Sequence, residues 1–205
     1  MNLTVPNPLQ GAHFWRAATA LDHLPPDEGT EVAFAGRSNA GKSSGLNTLT
    51  GQRSLARVSK TPGRTQELLF FQLDERRRLV DLPGYGYAAT SAARRRDWSE
   101  VIPAYFATRR SLRGLLLFMD IRRPLQVGDR QLILAAAELG LPVQPALTKS
   151  DKLGRGALQT ALRGLHKELA VFDTLLPPLP LSNLSGEGAP AIREQVRVWL
   201  DATVD

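Results

Sequence analysis

One stretch constrains this chain more than any other: Gly36-Arg37-Ser38-Asn39-Ala40-Gly41-Lys42-Ser43. A glycine, four residues and then Gly-Lys-Ser is the spacing of a phosphate-binding loop. The preceding run, Glu31-Val32-Ala33-Phe34-Ala35, is apolar and strand-sized, and a helix of about Lys42 to Thr50 can follow. In that strand–loop–helix setting, Gly36 and Gly41 let the backbone turn tightly and approach an anion. The amides of Asn39, Ala40, Gly41, Lys42, Ser43 and Ser44 then point inward at a helix N-terminus, where the dipole favours negative charge. Lys42 reaches the outer phosphates of a nucleotide, and the Ser43 hydroxyl is placed to ligate Mg2+. A glycine-rich turn with a surface lysine is the plainer reading, and the flanking strand and helix argue against it.

The rest of the chain alternates. Leu68 to Leu73 and Arg78 to Asp81 read as an antiparallel hairpin turning at Asp74-Glu75. Strands at Leu115 to Asp120 and Val143 to Leu147 precede helices of about Val127 to Leu139 and Leu158 to Phe172, with Gly140 as a helix stop. A short strand ends at Leu181-Ser182-Asn183, and a last helix runs from about Ala189 to Ala202 with Ile192, Val196 and Trp199 inward. Trp98, Ile102, Tyr105 and Phe106 recur at helical spacing and read as core rather than a base-stacking platform. This order predicts a three-layer α/β fold: a mostly parallel sheet of about six strands, one antiparallel, with helices on both faces. Residues 1–29, with four prolines at 6, 8, 25 and 26, read as an N-terminal extension packed on a domain of residues 30–205. Within it, Gly11 to Leu24 is predicted to hold a short helix with Phe14, Trp15, Ala18 and Leu21 on one face. The polar residues 51–66 read as a loop.

Three further stretches lie at strand ends, where open α/β sheets bind ligands. In Asp81-Leu82-Pro83-Gly84, the acid can hold Mg2+ through water, and Gly84 can offer its amide to a γ-phosphate. Taken alone, Asp-x-x-Gly is an ordinary turn. In Thr148-Lys149-Ser150-Asp151, the carboxylate can accept guanine N1–H and N2–H2 together, a pairing adenine cannot make. The aliphatic stem of Lys149 can cover the base. A helix cap is the alternative role for Asp151. After the last strand, the amides around Leu181, Ser182 and Asn183 could meet guanine O6. In the loop, Thr65 is the choice for Mg2+ ligation and γ-phosphate sensing, with Thr61 as the alternative.

There are no cysteines, which excludes disulfides and thiolate metal sites. No apolar run approaches the ~20 residues that span a bilayer, and the first residues lack signal-peptide character. A cytoplasmic protein without a membrane partner is expected, with a monomer as the default. The net charge of +6 rests on arginine clusters at 76–78, 94–96, 109–113 and 122–123. Such an excess suits a polyanionic partner such as RNA, or a merely solvated basic surface.

The strings Gly36 to Ser44, Thr61-Pro62-Gly63-Arg64-Thr65-Gln66, Asp81-Leu82-Pro83-Gly84-Tyr85-Gly86-Tyr87 and Thr148 to Lys152 resemble the bacterial EngB family, ribosome-assembly GTPases of the translation-factor-like class. The resemblance covers about residues 11–200. It implies a P-loop GTPase fold, GTP and GDP binding, Mg2+, slow hydrolysis, a role in large ribosomal subunit assembly, and a requirement for normal division and septation. It places Gly36 to Ser44, Gly63, Arg64, Thr65, Gln66, Glu67 and Asp81 to Gly84 around the phosphates, with Lys42, Thr65 and Gly84 serving catalysis. Two positions depart from the family pattern: Gly45 stands where an aliphatic residue is expected, and Ser182-Asn183 replaces a Ser-Ala pair.

Tyr85 follows Gly84, where many GTPases place a water-orienting glutamine. A phenol cannot do that work, so slow intrinsic hydrolysis is expected. Asn39 resembles the asparagine of GTPases that bind K+ beside the phosphates, where the ion supplies the charge of an arginine finger. Its other reading is an Asx turn that only shapes the loop. Two functions fit: a GTPase switch in ribosome assembly, or a nucleotide-gated RNA- or ribosome-binding module with incidental turnover.

Overall fold

The computed structural model describes residues 6–56, 67–86 and 101–202. Thr61, Gly63, Arg64, Thr65 and Gln66 lie outside the described residues, as do Tyr87, Arg94 to Arg96 and Trp98. In chain order the elements are β1 (His13–Ala18), β2 (Thr30–Gly36), α1 (Lys42–Thr50), β3 (Leu68–Gln72), β4 (Arg77–Asp81), α2 over 101–108, β5 (Leu112–Asp120), α3 (Val127–Glu138), β6 (Val143–Thr148), α4 (Arg155–Leu169), β7 (Leu179–Leu181) and α5 (Ala189–Leu200). They build a seven-stranded sheet of order β1-β3-β4-β2-β5-β6-β7. β3 pairs antiparallel with both β1 and β4, and every other pairing is parallel, so β3 alone runs against the sheet. Among the described residues no helix is long and apolar enough to cross a membrane.

The central strand explains the layering. All of β2 is buried, as a parallel strand covered on both faces must be. Its alternate residues serve two cores. Val32 and Phe34 pack with Leu46 and Leu49 of α1 and with Ile192, Val196 and Trp199 of α5. Ala33 and Ala35 face α2, α3 and α4 through Ile102, Tyr105, Phe106, Leu132, Ile133 and Leu165. The aromatic residues of α2 are thus core, as their spacing predicts.

Residues 11–24 do not form the expected helix. Residues 13–18 are instead the edge strand β1, joined to β3 from His13↔Gln72 to Ala18↔Leu68 with a bulge between Phe14 and Arg16. Phe14 and Trp15 therefore go to opposite faces. Phe14 meets Phe71 edge-on at 6.2 Å, and Trp15 lies under the Arg78 guanidinium at 4.9 Å. Helical spacing and two-sided strand burial cannot be separated over so few residues, and the unpaired hydrogen-bonding edge of β3 decides the outcome. This strand is the seventh, beyond the six expected.

Below the sheet, at the start of β2, Glu31 is fully buried and holds two arginines. Arg109 donates to it through Nε at 2.9 Å and Nη2 at 2.5 Å, and the Tyr105 hydroxyl adds a bond at 3.0 Å. Arg78 approaches at 3.5 Å while donating to Glu28 O at 2.6 Å. Arg109 also takes the Pro25 and Pro26 carbonyls, which pins the segment entering β2. Two of the clustered arginines are thus internal counter-ions and contribute nothing to a surface patch.

Candidate functional site

The order of the sheet reverses at β2, whose partners β4 and β5 are reached by connections leaving in opposite directions. A crevice forms outside the strand ends at such a point, and residues 36–43 fill it. Gly41 has φ 92°, a left-handed conformation that favours glycine, and caps α1 without a side chain. There is no acid in the first turn of α1. The Ala40 amide turns back to Arg37 O at 2.9 Å, so it does not join the set expected to face an anion. Among the described residues, the amides of Gly41, Lys42, Ser43 and Ser44 find no protein acceptor.

Three separate stretches brace this loop. Thr148 Oγ1 donates to Ala40 O at 2.5 Å, Lys149 Nζ to Asn39 O at 2.9 Å, and Asn183 Nδ2 to Gly41 O at 3.2 Å. Ser38 N–H donates to Tyr85 O at 2.8 Å. Lys42 Nζ is ion-paired with Asp81 Oδ1, both side chains nearly buried. A Cβ on Gly84 would lie 3.2 Å from Ser38 Oγ and 3.6 Å from Gly36 O, so Gly84 rests directly on the loop. Leu82 N–H bonds Phe34 O at 2.9 Å, and Pro83 completes this connection. The structure therefore brings Gly36, Arg37, Ser38, Asn39, Ala40, Gly41, Lys42, Ser43 and Ser44 together with Asp81, Leu82, Pro83 and Gly84. Glu67 is half-buried just ahead of β3.

At the end of β6, Asp151 follows Lys149, which sits at φ 59° in the left-handed region. Ser182 Oγ donates to Asp151 Oδ1 at 3.0 Å, and Lys152 Nζ stands 3.3 Å from Oδ2. Desolvation opposes it, yet the Ser182 and Lys152 hydrogen bonds leave the carboxyl below its ordinary value. It is charged at neutral pH, as an acceptor for two guanine donors must be. Asp151 sits in a 3-10 turn, Ser150–Lys152, and does not cap α4, whose N-cap is Gly154. Lys149 Nζ also meets Asp120 at 2.9 Å. The side chain of Arg122, and then Lys149, hold the Asp120 carboxyl far below the usual range.

Several connections carry no local sequence signal. Asn183, the departure from Ser-Ala, is a side-chain bridge to the phosphate loop. Gly45 is explained by Phe118: a Cβ there would stand 2.3 Å from Phe118 Cε1. Phe118, stacked on Phe34 at 6.1 Å, occupies the volume an aliphatic residue would take. Tyr85 turns away from the phosphate loop, buried, and its hydroxyl donates to Asp129 of α3. The exposed Asn39 has φ 67° and makes no side-chain hydrogen bond among the described residues, so no Asx turn shapes the loop there. Arg37, Arg122, Arg123 and Lys149 line a cleft of about 660 Å³ on the outer side of residues 37–40.

The comparisons agree with this geometry. The family model described as 50S ribosome-binding GTPase matches residues 31–149. A probable GTP-binding protein EngB of Nitrosococcus oceani is 50% identical over 189 residues, covering 92% of this chain and 94% of its own length. Its counterpart in Xanthomonas euvesicatoria is 49% identical over 198 residues and covers 96% of each chain. Among solved structures, a probable GTP-binding protein engB aligns with TM-score 0.66 at 22% identity, over 83% of this chain and 98% of that one, which speaks to the fold. The G domain of the T. maritima FeoB iron transporter aligns with TM-score 0.52 at 26% identity, over 83% of this chain and 98% of that one. The fold, the braced phosphate loop and half-identity to relatives over nearly the whole length lead to one statement: this chain belongs to the EngB family of GTP-binding proteins, within the P-loop GTPases.

Proposed function

We propose that this chain is a slow GTPase switch in assembly of the large ribosomal subunit, serving normal cell division and septation from the cytoplasm. The single observation that carries the nucleotide part is the bracing of one phosphate loop by Asp81, Thr148, Lys149 and Asn183 at the carboxyl ends of the strands. The ribosomal part draws support from the matched family's description and from the exposed Arg122 and Arg123. The GTP-binding domain is read as residues 30–205, with residues 1–29 supplying its edge strand.

In this reading the amides of Gly41 to Ser44 receive the phosphate oxygens, and Lys42 moves from Asp81 to the outer phosphates. The Gly84 amide faces the γ-phosphate, and Asp151 selects guanine with Ser182 holding it in place. A hydroxyl at Ser43 and, through water, a carboxylate at Asp81 are hard oxygen groups that suit Mg2+, with Thr65 as the further direct ligand; when bound, the ion would neutralise developing phosphate charge. Asn39, exposed beside the loop, is the proposed K+ contact. Tyr85 points inward and orients no water, which is the basis of the slow rate. A GTP-bound loop around Thr65 then differs from the GDP-bound one, as a switch requires.

The test is cosedimentation with large ribosomal subunits in GTP-analogue, GDP and nucleotide-free states across a salt series. Binding that needs the triphosphate supports the switch. Binding indifferent to nucleotide and falling steeply with salt supports a polyanion-binding module and overturns the switch. Equal hydrolysis rates in K+ and Na+ would remove Asn39 from its role.

A further inference from the structure

Tyr85 is one peptide bond from Gly84, and its side chain leaves the nucleotide site altogether. The residue is 6% exposed, and its ring lies against Gly128 in the first turn of α3: a Cβ on Gly128 would stand 2.5 Å from Tyr85 Cδ2 and 2.8 Å from Cε2. The hydroxyl donates to Asp129 Oδ1. Asp129 is 2% exposed, and its other oxygen accepts the Gln126 N–H at 2.8 Å, which closes the start of the helix. On the backbone side, Tyr85 pairs with Arg37 and accepts from Ser38 N–H. One residue thus joins the phosphate loop to α3.

Resting on the GTPase reading but going beyond it, we infer that Gly128 and Asp129 are positioning residues for γ-phosphate recognition and hydrolysis, acting through Tyr85. Gly84 has no side chain of its own to anchor its amide. Its placement is set by its neighbours: Leu82 bonded to Phe34 on one side, Tyr85 on the other. A phenol–carboxylate bond is charge-assisted, and in a dry setting it is stronger than at a surface. Gly128 matters through the space it leaves, since any side chain there drives the ring out of its seat. The ring then carries the backbone at Tyr85, and with it the Gly84 amide, away from Ser38. Gly128 and Asp129 reach the phosphate loop through Tyr85, which Gly128 faces and Asp129 bonds.

The experiment compares the full chain with Gly128→Ala, Asp129→Asn and Gly164→Ala in single-turnover GTP hydrolysis and in fluorescent GTP-analogue and GDP binding. Alanine favours a helix over glycine, so Gly128→Ala should hold α3 at least as well while its methyl displaces the ring. Its expected signature is turnover lowered about tenfold or more, as for an ångström-scale displacement of a catalytic group. The GTP-analogue affinity falls relative to GDP, and GDP affinity is unchanged. Asp129→Asn shows the same split, because the amide keeps one acceptor where two donors converge. Gly164→Ala, with nothing within 4 Å of its Cβ, behaves as wild type. A wild-type rate and a wild-type GTP-to-GDP affinity ratio in Gly128→Ala would overturn the inference. So would an equal loss of GDP and GTP affinity in both variants, which marks a purely structural role. A wild-type chain that turns over no GTP would overturn the hydrolase reading instead, and the affinity ratio would still decide the positioning role.

Discussion

Glu31→Gln removes one charge from beneath the sheet without touching the nucleotide site. The carboxylate accepts from Arg109 at 2.9 and 2.5 Å, from Tyr105 at 3.0 Å and from Arg78 at 3.5 Å. A glutamine keeps one oxygen and turns the other position into an N–H2 that faces donors. The Arg78 and Arg109 side chains, 6% and 4% exposed, lose their shared counter-charge. Among the described residues, only Asp27, 3.6 Å from Arg109 Nε, remains within reach. Breaking a buried pair from one side costs about 3–5 kcal/mol. At ~2–4 °C per kcal/mol for a chain of this length, the melting temperature should fall by about 6–20 °C. Urea and thermal unfolding measure the change, and GDP affinity of the folded protein should not move. A loss below about 1 kcal/mol, the range of an exposed pair, would refute the argument. Glu31→Met with Arg109→Met should recover only part of the stability, because Arg109 also holds the Pro25 and Pro26 carbonyls.

Three other outcomes are expected. Gly45→Ala puts a methyl into the Phe118 ring and should cost about 1–3 kcal/mol, partly offset by helix propensity; Phe118→Leu added to it should restore the melting temperature. Asp151→Asn should weaken GTP and favour xanthosine triphosphate, read by competition binding; undiminished GTP affinity would sink the guanine assignment. Asp120→Asn should destabilise at pH 7 and progressively less in acid. The lowered pKa means the folded state holds fewer protons, so the contribution is full above the ordinary value near ~4 and is lost as pH falls through the lowered one. A stability gap between wild type and Asp120→Asn that stays constant from neutral to acid pH would contradict this.

The phosphate loop, the hairpin and the order of strands and helices from β2 onward are legible in the sequence because each rests on local chemistry: a glycine spacing, a period of two, a period of 3.6. The α1 bounds, Lys42–Thr50, coincide with those expected. What sequence leaves dark is pairing at a distance. Glu31 reads only as the first residue of a strand, and nothing nearby announces two arginines 47 and 78 residues away. Arg78 and Arg109 count toward a basic surface until the structure buries them. Gly45 looks like a flaw in α1 until Phe118 fills its place. Asn183 looks like a loose match until its amide reaches Gly41.

Those distant pairings share a direction that explains why residues 36–43 suit an anion. The donors that reach the loop from outside bond its carbonyls: Thr148 to Ala40 O, Lys149 to Asn39 O, Asn183 to Gly41 O. In a trans peptide the carbonyl and the following N–H point opposite ways. Fixing the Ala40 and Gly41 carbonyls outward therefore turns the Gly41 and Lys42 amides inward. The brace has a cost, since Lys149 is held at φ 59°, where an L-residue is strained by roughly 1–2 kcal/mol. Two bonds from its ammonium, to Asn39 O and to Asp120, offset that strain. A lysine is suited to this position because its stem spans the distance from the end of β6 to the loop while its charge holds a carbonyl in place. Lys149→Met would keep the stem and lose the bond. It should therefore weaken GDP and GTP alike by about tenfold, the worth of one charge-assisted bond, and leave the rate of the bound triphosphate unchanged. A loss confined to the triphosphate would mean that the loop amides keep their direction without Lys149.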